Sequence, residues 1–328
     1  MSQLVTIIGG SGFIGRYIAR RMAQAGWRVR VAVRRPNEAL HVKPYGVVGQ
    51  VEPVFCNIRD DASVRAVIAG ADAVVNCVGI LFEKGPNRFD EVQAQGAGRV
   101  ARIATEQGVK TLVQLSAIGA DAKSDSAYQS SKAAGEALVI QHFPKAVILR
   151  PSLVFGNEDQ FFNRFAGMAR LSPVLPVVGG DTKFQPVYVD DVAAAAAKAI
   201  LEGVDPGIYE LGGPEVASFR DLMTRMLAEI RRNRLLLNLP LPVARLQAGV
   251  LDLAQKASFG LFTNSLLTRD QVRNLARDNV VSAGARGLAD LGITPTPMEA
   301  VLPSYLWVFR SGGQYEAIKE SASNLRKD

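Results

Sequence analysis

The stretch Leu4-Val5-Thr6-Ile7-Ile8-Gly9-Gly10-Ser11-Gly12-Phe13-Ile14-Gly15 decides the fold. An apolar run rich in β-branched residues enters a glycine cluster, and an amphipathic stretch from Arg16 to Ala25 follows at once. That pattern predicts a strand, a tight turn and a helix. Gly9 allows the sharp turn, Gly12 lets the backbone approach a pyrophosphate, and Gly15 lets the helix pack closely on the sheet. The helix start then offers N–H groups without intrahelical partners, and a positive dipole end, to phosphates. A glycine triplet alone is weak evidence; the readable strand before it and helix after it make it a dinucleotide fingerprint.

Outward from this turn, Trp27 to Val33 predicts a second strand, ending in Arg34-Arg35-Pro36. A site for NAD usually places an acidic residue there to bind the ribose 2′-OH. A carboxylate would repel a 2′-phosphate, whereas a guanidinium grips it with two hydrogen bonds. The arginines therefore favour NADP(H) over NAD(H), with one of them readable equally as a solvated loop charge. A third strand runs from Val51 to Asn57, Asp61 to Ile68 reads as a helix, and Ala73 to Cys77 is a strand leading into Val78-Gly79. Phe89 to Gln107 reads as one helix, and the strand Thr111 to Leu115 stops at Ser116. Continuous apolar strands alternating with helices mean a parallel sheet covered on both faces. The expected fold class is α/β: a Rossmann-type doubly wound parallel sheet with a smaller, mostly helical C-terminal region.

Composition sets the outer bounds. The 328 residues are 48% hydrophobic and 21% charged, as expected of a folded globular chain. The balance of 38 Lys+Arg against 31 Asp+Glu gives +7. The basic residues are scattered and lack interleaved aromatics, so no nucleic-acid partner is expected; an acidic cofactor, or an anionic membrane or protein surface, accounts for the excess. Cys56 and Cys77 lie in apolar runs, and His41 and His142 stand alone, which argues against zinc. No apolar run reaches the roughly 18–20 residues that span a bilayer. A protein on the cytoplasmic side, made without a presequence, is the expectation.

A helix opening at Tyr128-Gln129-Ser130-Ser131-Lys132 places a phenol and an ammonium one turn apart on one face. The ammonium is expected to lower the phenol's pKa, and Ser116, at a strand's carboxyl end, to reach the same substrate oxygen. Such a set suits proton transfer beside hydride chemistry at a carbonyl. Tyr-x-x-x-Lys also occurs by chance in helices; its position after the fourth β–α unit, with a serine upstream, argues against coincidence.

With Leu149-Arg150-Pro151-Ser152-Leu153-Val154-Phe155-Gly156, these motifs resemble the short-chain dehydrogenase/reductase superfamily in its extended or atypical, epimerase-like form. More narrowly, Asn76 to Phe82, Asp159 to Pro176, Phe184 to Val192 and Tyr209 to Pro214 resemble the NADPH-binding, dehydrogenase-like accessory subunit of respiratory complex I in its bacterial form. The resemblance runs to about Leu222 and more loosely beyond. It implies NADPH held as a structural ligand. Gly9, Gly12, Phe13, Ile14 and Gly15 would hold the pyrophosphate, with Arg34 and Arg35 near the 2′-phosphate. Asn57 and Ile58 would lie by the adenine, and Val78 and Gly79 along the ribose. Ser116, Tyr128, Lys132 and the Pro151–Leu153 backbone would surround the nicotinamide end. Two departures stand out: Asn57 replaces a common acidic residue, and Gln93 stands where active relatives usually carry an asparagine in the proton relay.

The implied organisation is an NADP(H)-binding domain over 1–155, an excursion over 156–184, a return to the sheet over 185–212 and a small helical region with a tail over 213–328. Asp190-Asp191 read as capping acids of the helix that follows. Basic residues from Arg231 to Arg234 beside Leu235-Leu236-Leu237, with an apolar-faced helix from Val243 to Ala257, suit either a membrane surface over 231–262 or a lid over the cofactor cleft. The expected function is an accessory subunit of NADH:ubiquinone oxidoreductase, peripheral to the bacterial inner membrane on its cytoplasmic side, with other complex I subunits as partners and no turnover of its own. The alternative is a free-standing NADP-dependent reductase or sugar-nucleotide epimerase using Ser116, Tyr128 and Lys132.

Overall fold

Alternation along the strands sets the layers. In the computed structural model, which describes residues 3–240, 242 and 269–315, β1 (Leu4–Ile8) turns Val5 and Ile7 into one core and Leu4 and Ile8 into another. Thr6, on the second face, satisfies its buried hydroxyl by donating to the Val67 carbonyl at 2.8 Å. Behind β1 come α1 (Phe13–Gln24), β2 (Arg28–Val33), β3 (Val51–Phe55), α2 (Asp61–Ile68) and β4 (Ala73–Asn76). Next are α3 (Gln95–Glu106), β5 (Thr111–Leu115), α4 (Ala127–His142), β6 (Val147–Pro151) and β7 (Val154–Phe155). The rest of the described chain holds α5 (Phe162–Leu171), β8 (Val174–Val178), β9 (Lys183–Phe184), β10 (Val187–Tyr188), α6 (Val189–Leu201), β11 (Gly207–Leu211), β12 (Ala217–Ser218), α7 (Phe219–Glu229), β13 (Leu235–Leu239), α8 (Arg269–Asn274) and α9 (Met298–Leu306).

Seven parallel strands form the main sheet in the order β3-β2-β1-β4-β5-β6-β11. The order reverses between β1 and β4, and the crevice outside their carboxyl ends is where such sheets take ligands. Helices α1 and α6 cover one face through Ile18, Met22 and a run of buried alanines. Helices α2, α3 and α4 cover the other through Ile68, Val100, Ile103 and Val139. Glycines let α3 and α4 approach closely: a Cβ on Gly98 would stand 2.9 Å from the Leu138 Cβ, and one on Gly135 only 2.4 Å from the Gln93 carbonyl oxygen. The turn before α3, read from sequence as ordinary helix, is a π-helical segment, Asp90–Ala94.

A third core joins α5, α7 and α9 around packed aromatic rings. Phe161 meets Phe162, Phe165 and Phe219 at centroid distances of 5.1, 5.4 and 5.4 Å. The leucine-rich run at 235–239 is strand β13, paired in parallel with β8. A hydroxyl–carboxylate contact ties this body together: Tyr305 donates to buried Asp159 at 2.6 Å, and the same carboxylate accepts from the Phe161 and Asn163 amides. Asp190 and Asp191 stand in the first turn of α6, where the helix dipole favours acids, but neither caps it by a side-chain hydrogen bond. Asp190 takes both prongs of the Arg21 guanidinium at 2.8 Å, and Asp191 accepts the Thr296 amide and hydroxyl. The apolar helix expected over Val243 to Ala257, and the tail from 316 onward, lie outside the described residues, as does most of the 231–262 membrane-surface segment. Among the described residues no helix is long and apolar enough to cross a membrane.

Candidate functional site

The glycine turn is built as the sequence requires. Gly9 adopts φ +80°, a conformation that side chains disfavour, and its amide is bonded to the Ala32 carbonyl at 2.8 Å. A Cβ on Gly15 would lie 2.5 Å from the Gly9 oxygen and 2.7 Å from the Gly10 Cα, so helix and turn touch backbone to backbone. Helix α1 begins at Gly12 with neither a side-chain cap nor an acidic residue in its first turn. The Phe13, Ile14 and Gly15 amides are thus left to an external acceptor.

Beside this turn lies a cleft of about 570 Å³. Its walls bring together Gly9, Gly12, Arg34, Arg35, Asn57, Ile58, Val78 and Gly79 from the expected set. Arg34 is exposed and makes no hydrogen bond or ion pair among the described residues, while Arg35 pairs with Glu38 at 2.9 Å. The Asn57 Oδ1 accepts the Arg59 amide at 3.2 Å and so shapes the β3–α2 turn. Val78 is held by a chain of buried amides, in which Asn76 accepts its N–H and donates to Gln114 across the β4–β5 pair.

The remaining expected residues lie further along the same sheet edge. Gly79 makes the connection, because a Cβ there would stand 3.3 Å from the Lys132 Nζ and 3.7 Å from the Gln93 Oε1. Lys132 Nζ sits 6.0 Å from the Tyr128 ring centroid and donates to the Leu115 carbonyl at 3.4 Å. Burial lowers the Lys132 ammonium to about 8. The phenol goes the other way from the sequence expectation: burial, with the Asp270 charge adding, pushes Tyr128 up to about 12. Desolvation outweighs an ammonium that lies over the ring and makes no hydrogen bond to the hydroxyl. The Ser116 Oγ and Gln93 Oε1 are buried without a hydrogen-bond partner. Pro151 and Leu153 flank this end through their backbone; the Pro151 carbonyl accepts from Ile118 and the Leu153 carbonyl from Val187.

Sequence reading missed what holds the helix of Tyr128 and Lys132 in place. Asp270 of α8 caps α4 from far along the chain, accepting the Ala127 amide at 2.8 Å, the Ser126 hydroxyl at 3.0 Å and the Tyr128 amide at 3.3 Å. Arg277 grips Asp125 at 3.2 Å, and Asn279 takes the Ser152 hydroxyl on its own carbonyl at 2.8 Å. Under α4, Glu136 and Glu210 share Arg150, at 2.6 and 3.4 Å, in a nearly buried triad. An acid more than 140 residues along the chain from the helix it caps carries no local pattern that could have announced the Asp270 cap.

The residues present fit a dinucleotide: a turn that excludes side chains, bare helix amides, and buried polar atoms lacking partners at the far end. Fold and site thus define a Rossmann-type, NAD(P)-binding protein. A family model for the NAD dependent epimerase/dehydratase family matches residues 5–212, and the chain belongs to that family. It is 35% identical over 316 residues, covering 94% of this chain and 79% of the relative, to the mitochondrial NADH dehydrogenase [ubiquinone] 1 alpha subcomplex subunit 9 of Arabidopsis thaliana. The protein of the same description from Mus musculus is 31% identical, covering 90% of this chain and 78% of its own. The fold is similar to that of DesIV, a dTDP-glucose 4,6-dehydratase from Streptomyces venezuelae with NAD and TYD bound (TM-score 0.70, 19% identity, covering 96% of this chain and 99% of that one).

Proposed function

We propose that this chain is an NADPH-binding accessory subunit of a respiratory NADH:ubiquinone oxidoreductase, seated peripherally on the cytoplasmic face of a bacterial inner membrane. The observation that carries the reading is similarity along nearly the whole chain, second body included, to proteins named as subunits of that enzyme. Arg34 beside the cleft supports a 2′-phosphate over a 2′-OH. When bound, the nucleotide supplies a hydride donor at its nicotinamide end; in this reading that capacity goes unused. Supporting that, the Tyr128 phenol is held protonated by burial and Lys132 gives it no hydrogen bond. The chain's own contribution is then to bind and orient: α1 amides on the pyrophosphate, and Ser116, Gln93 and Lys132 on the far end.

The test is gentle detergent extraction of native membranes carrying a tagged chromosomal copy, followed by sedimentation and analysis of extracted nucleotide. Co-migration with NADH:quinone activity, with NADPH released on denaturation, is the expected result. A small species free of that activity overturns the reading.

The unpartnered Ser116 Oγ beside Tyr128 and Lys132 favours a second reading, an NADP-dependent reductase or epimerase. Under it Tyr128 gives or takes a proton and Ser116 polarises the substrate oxygen. Tyr128→Phe separates the two. An accessory subunit keeps respiratory activity and bound nucleotide, while an enzyme loses turnover on its carbonyl substrate by about 100-fold or more.

A further inference from the structure

A second chamber, about 930 Å³, opens beside the nucleotide cleft and shares the Arg34 and Arg35 wall with it. Its other charged walls come from elsewhere: Lys84 from the loop between β4 and α3, and Arg164 from the first turn of α5 in the aromatic-cored body. Four lining side chains are cationic and none is acidic. We propose that Lys84 and Arg164 complete the site for the nucleotide's ribose 2′-phosphate, closing over it opposite Arg34; this rests on the NADP(H) reading above.

Four cations around one space repel one another, and such an arrangement is stabilised by an anion between them. Ion pairing within the chain does not fully discharge it. Glu38 answers Arg35 at 2.9 Å, but Arg34 and Lys84 form no ion pair among the described residues. The hairpin that carries Lys84 is fixed in place. Lys84 and Asn87 exchange backbone hydrogen bonds of 3.1 Å, and Glu83 accepts the Phe89 amide at 2.8 Å. The position of the chamber selects which phosphate it serves: Arg34 and Arg35 line it, whereas Gly9 and Gly12 do not. The anion it faces is therefore the one on the ribose and not the pyrophosphate at the helix start. A phosphate monoester has three terminal oxygens, enough to accept from a guanidinium fork, an ammonium and the Gln160 amide at once.

The experiment measures binding of adenosine 2′,5′-bisphosphate, ADP, NADPH and NADH to the full chain, to Lys84→Gln/Arg164→Gln and to Arg34→Gln. The double variant is expected to bind the bisphosphate and NADPH about tenfold more weakly, with ADP and NADH changed less than about twofold. The salt dependence of bisphosphate binding should become shallower. An unchanged preference for the 2′-phosphate ligands in the double variant, alongside a lost one in Arg34→Gln, overturns the inference. So does equal weakening of ADP and the bisphosphate, which would place both cations at the pyrophosphate. A wild-type chain that does not prefer NADPH over NADH sinks the NADP(H) reading itself, and this inference with it. The melting temperature without nucleotide checks the fold; should the double variant unfold, Lys84→Gln alone, on an exposed loop, should still weaken the bisphosphate about threefold.

Discussion

Gly12 and Gly15 belong to one motif and make different demands on a side chain. At Gly15 any Cβ meets main-chain atoms of the turn at 2.5 and 2.7 Å, and neither can give way without moving the turn itself. Gly15→Ala should cost about 1–3 kcal/mol in a urea titration without nucleotide. At Gly12 the one close atom is the Gly9 oxygen at 3.2 Å, so Gly12→Ala should cost the empty fold less and lower nucleotide affinity instead. Lys132 makes a prediction through pH. Its ammonium, usually near 10.5, is lowered to about 8, so between those values the unfolded chain binds more protons than the folded one and stability rises with pH. Above about 9 the buried thiols of Cys56 and Cys77, raised to about 11 and 12, act in the opposite direction. A Lys132→Met variant should therefore lose an upward stability slope between pH 8 and 9 in denaturant midpoints measured without nucleotide. At this scale the glycine turn was legible because each glycine answers to neighbours a few positions away. The direction of the Tyr128 shift was not, because it depends on groups from distant segments: the Phe89 ring packs edge-on 6.0 Å off, and the Asp270 charge adds to the effect of burial.

Elements reproduce the same division between local and remote causes. Helix α1 and strands β1 to β5 followed from runs of apolar residues and the turns between them. The π-helical turn at Asp90–Ala94 did not, since its carbonyl at Gln93 faces α4 at Gly135, a contact between separate helices. The cap on α4 is the most remote case. Asp270→Ala removes three hydrogen bonds from that helix start, leaving Ser126, which accepts the Gln129 amide at 3.3 Å, as its own cap. The expected loss is about 1 kcal/mol. Hydrogen exchange should quicken over 124–130 and stay unchanged in β1 and β2. Uniform quickening across the sheet would argue that α8 supports the whole fold and not this helix.

Across the whole molecule, the nucleotide-binding sheet and the aromatic-cored body are joined by repeated passages of the chain, and Arg164 reaches the cleft's outer chamber from the second of them. A ligand seated there binds the native state alone, so NADPH at a hundredfold over its Kd should add about 2.7 kcal/mol of stability. Thermal melts should show a larger rise with NADPH than with equal NADH; equal rises would speak against a 2′-phosphate site. The FFNRFA stretch was recognisable in sequence only as a family signature. Its physical role, three rings seeding a core with Phe184 and Phe219, depends on pairings between distant segments.

The strand order also bears on how the chain is made. As it leaves the ribosome, each new strand of the main sheet finds an edge already formed: β2 beside β1, β3 beside β2, β4 on the other flank, then β5, β6 and β11 in turn. That sheet can grow vectorially. The aromatic body has no such schedule, because Phe161, Phe162 and Phe165 emerge well before Phe219 and Tyr305. Its rings stay uncovered during translation, and chaperone demand should concentrate on that body.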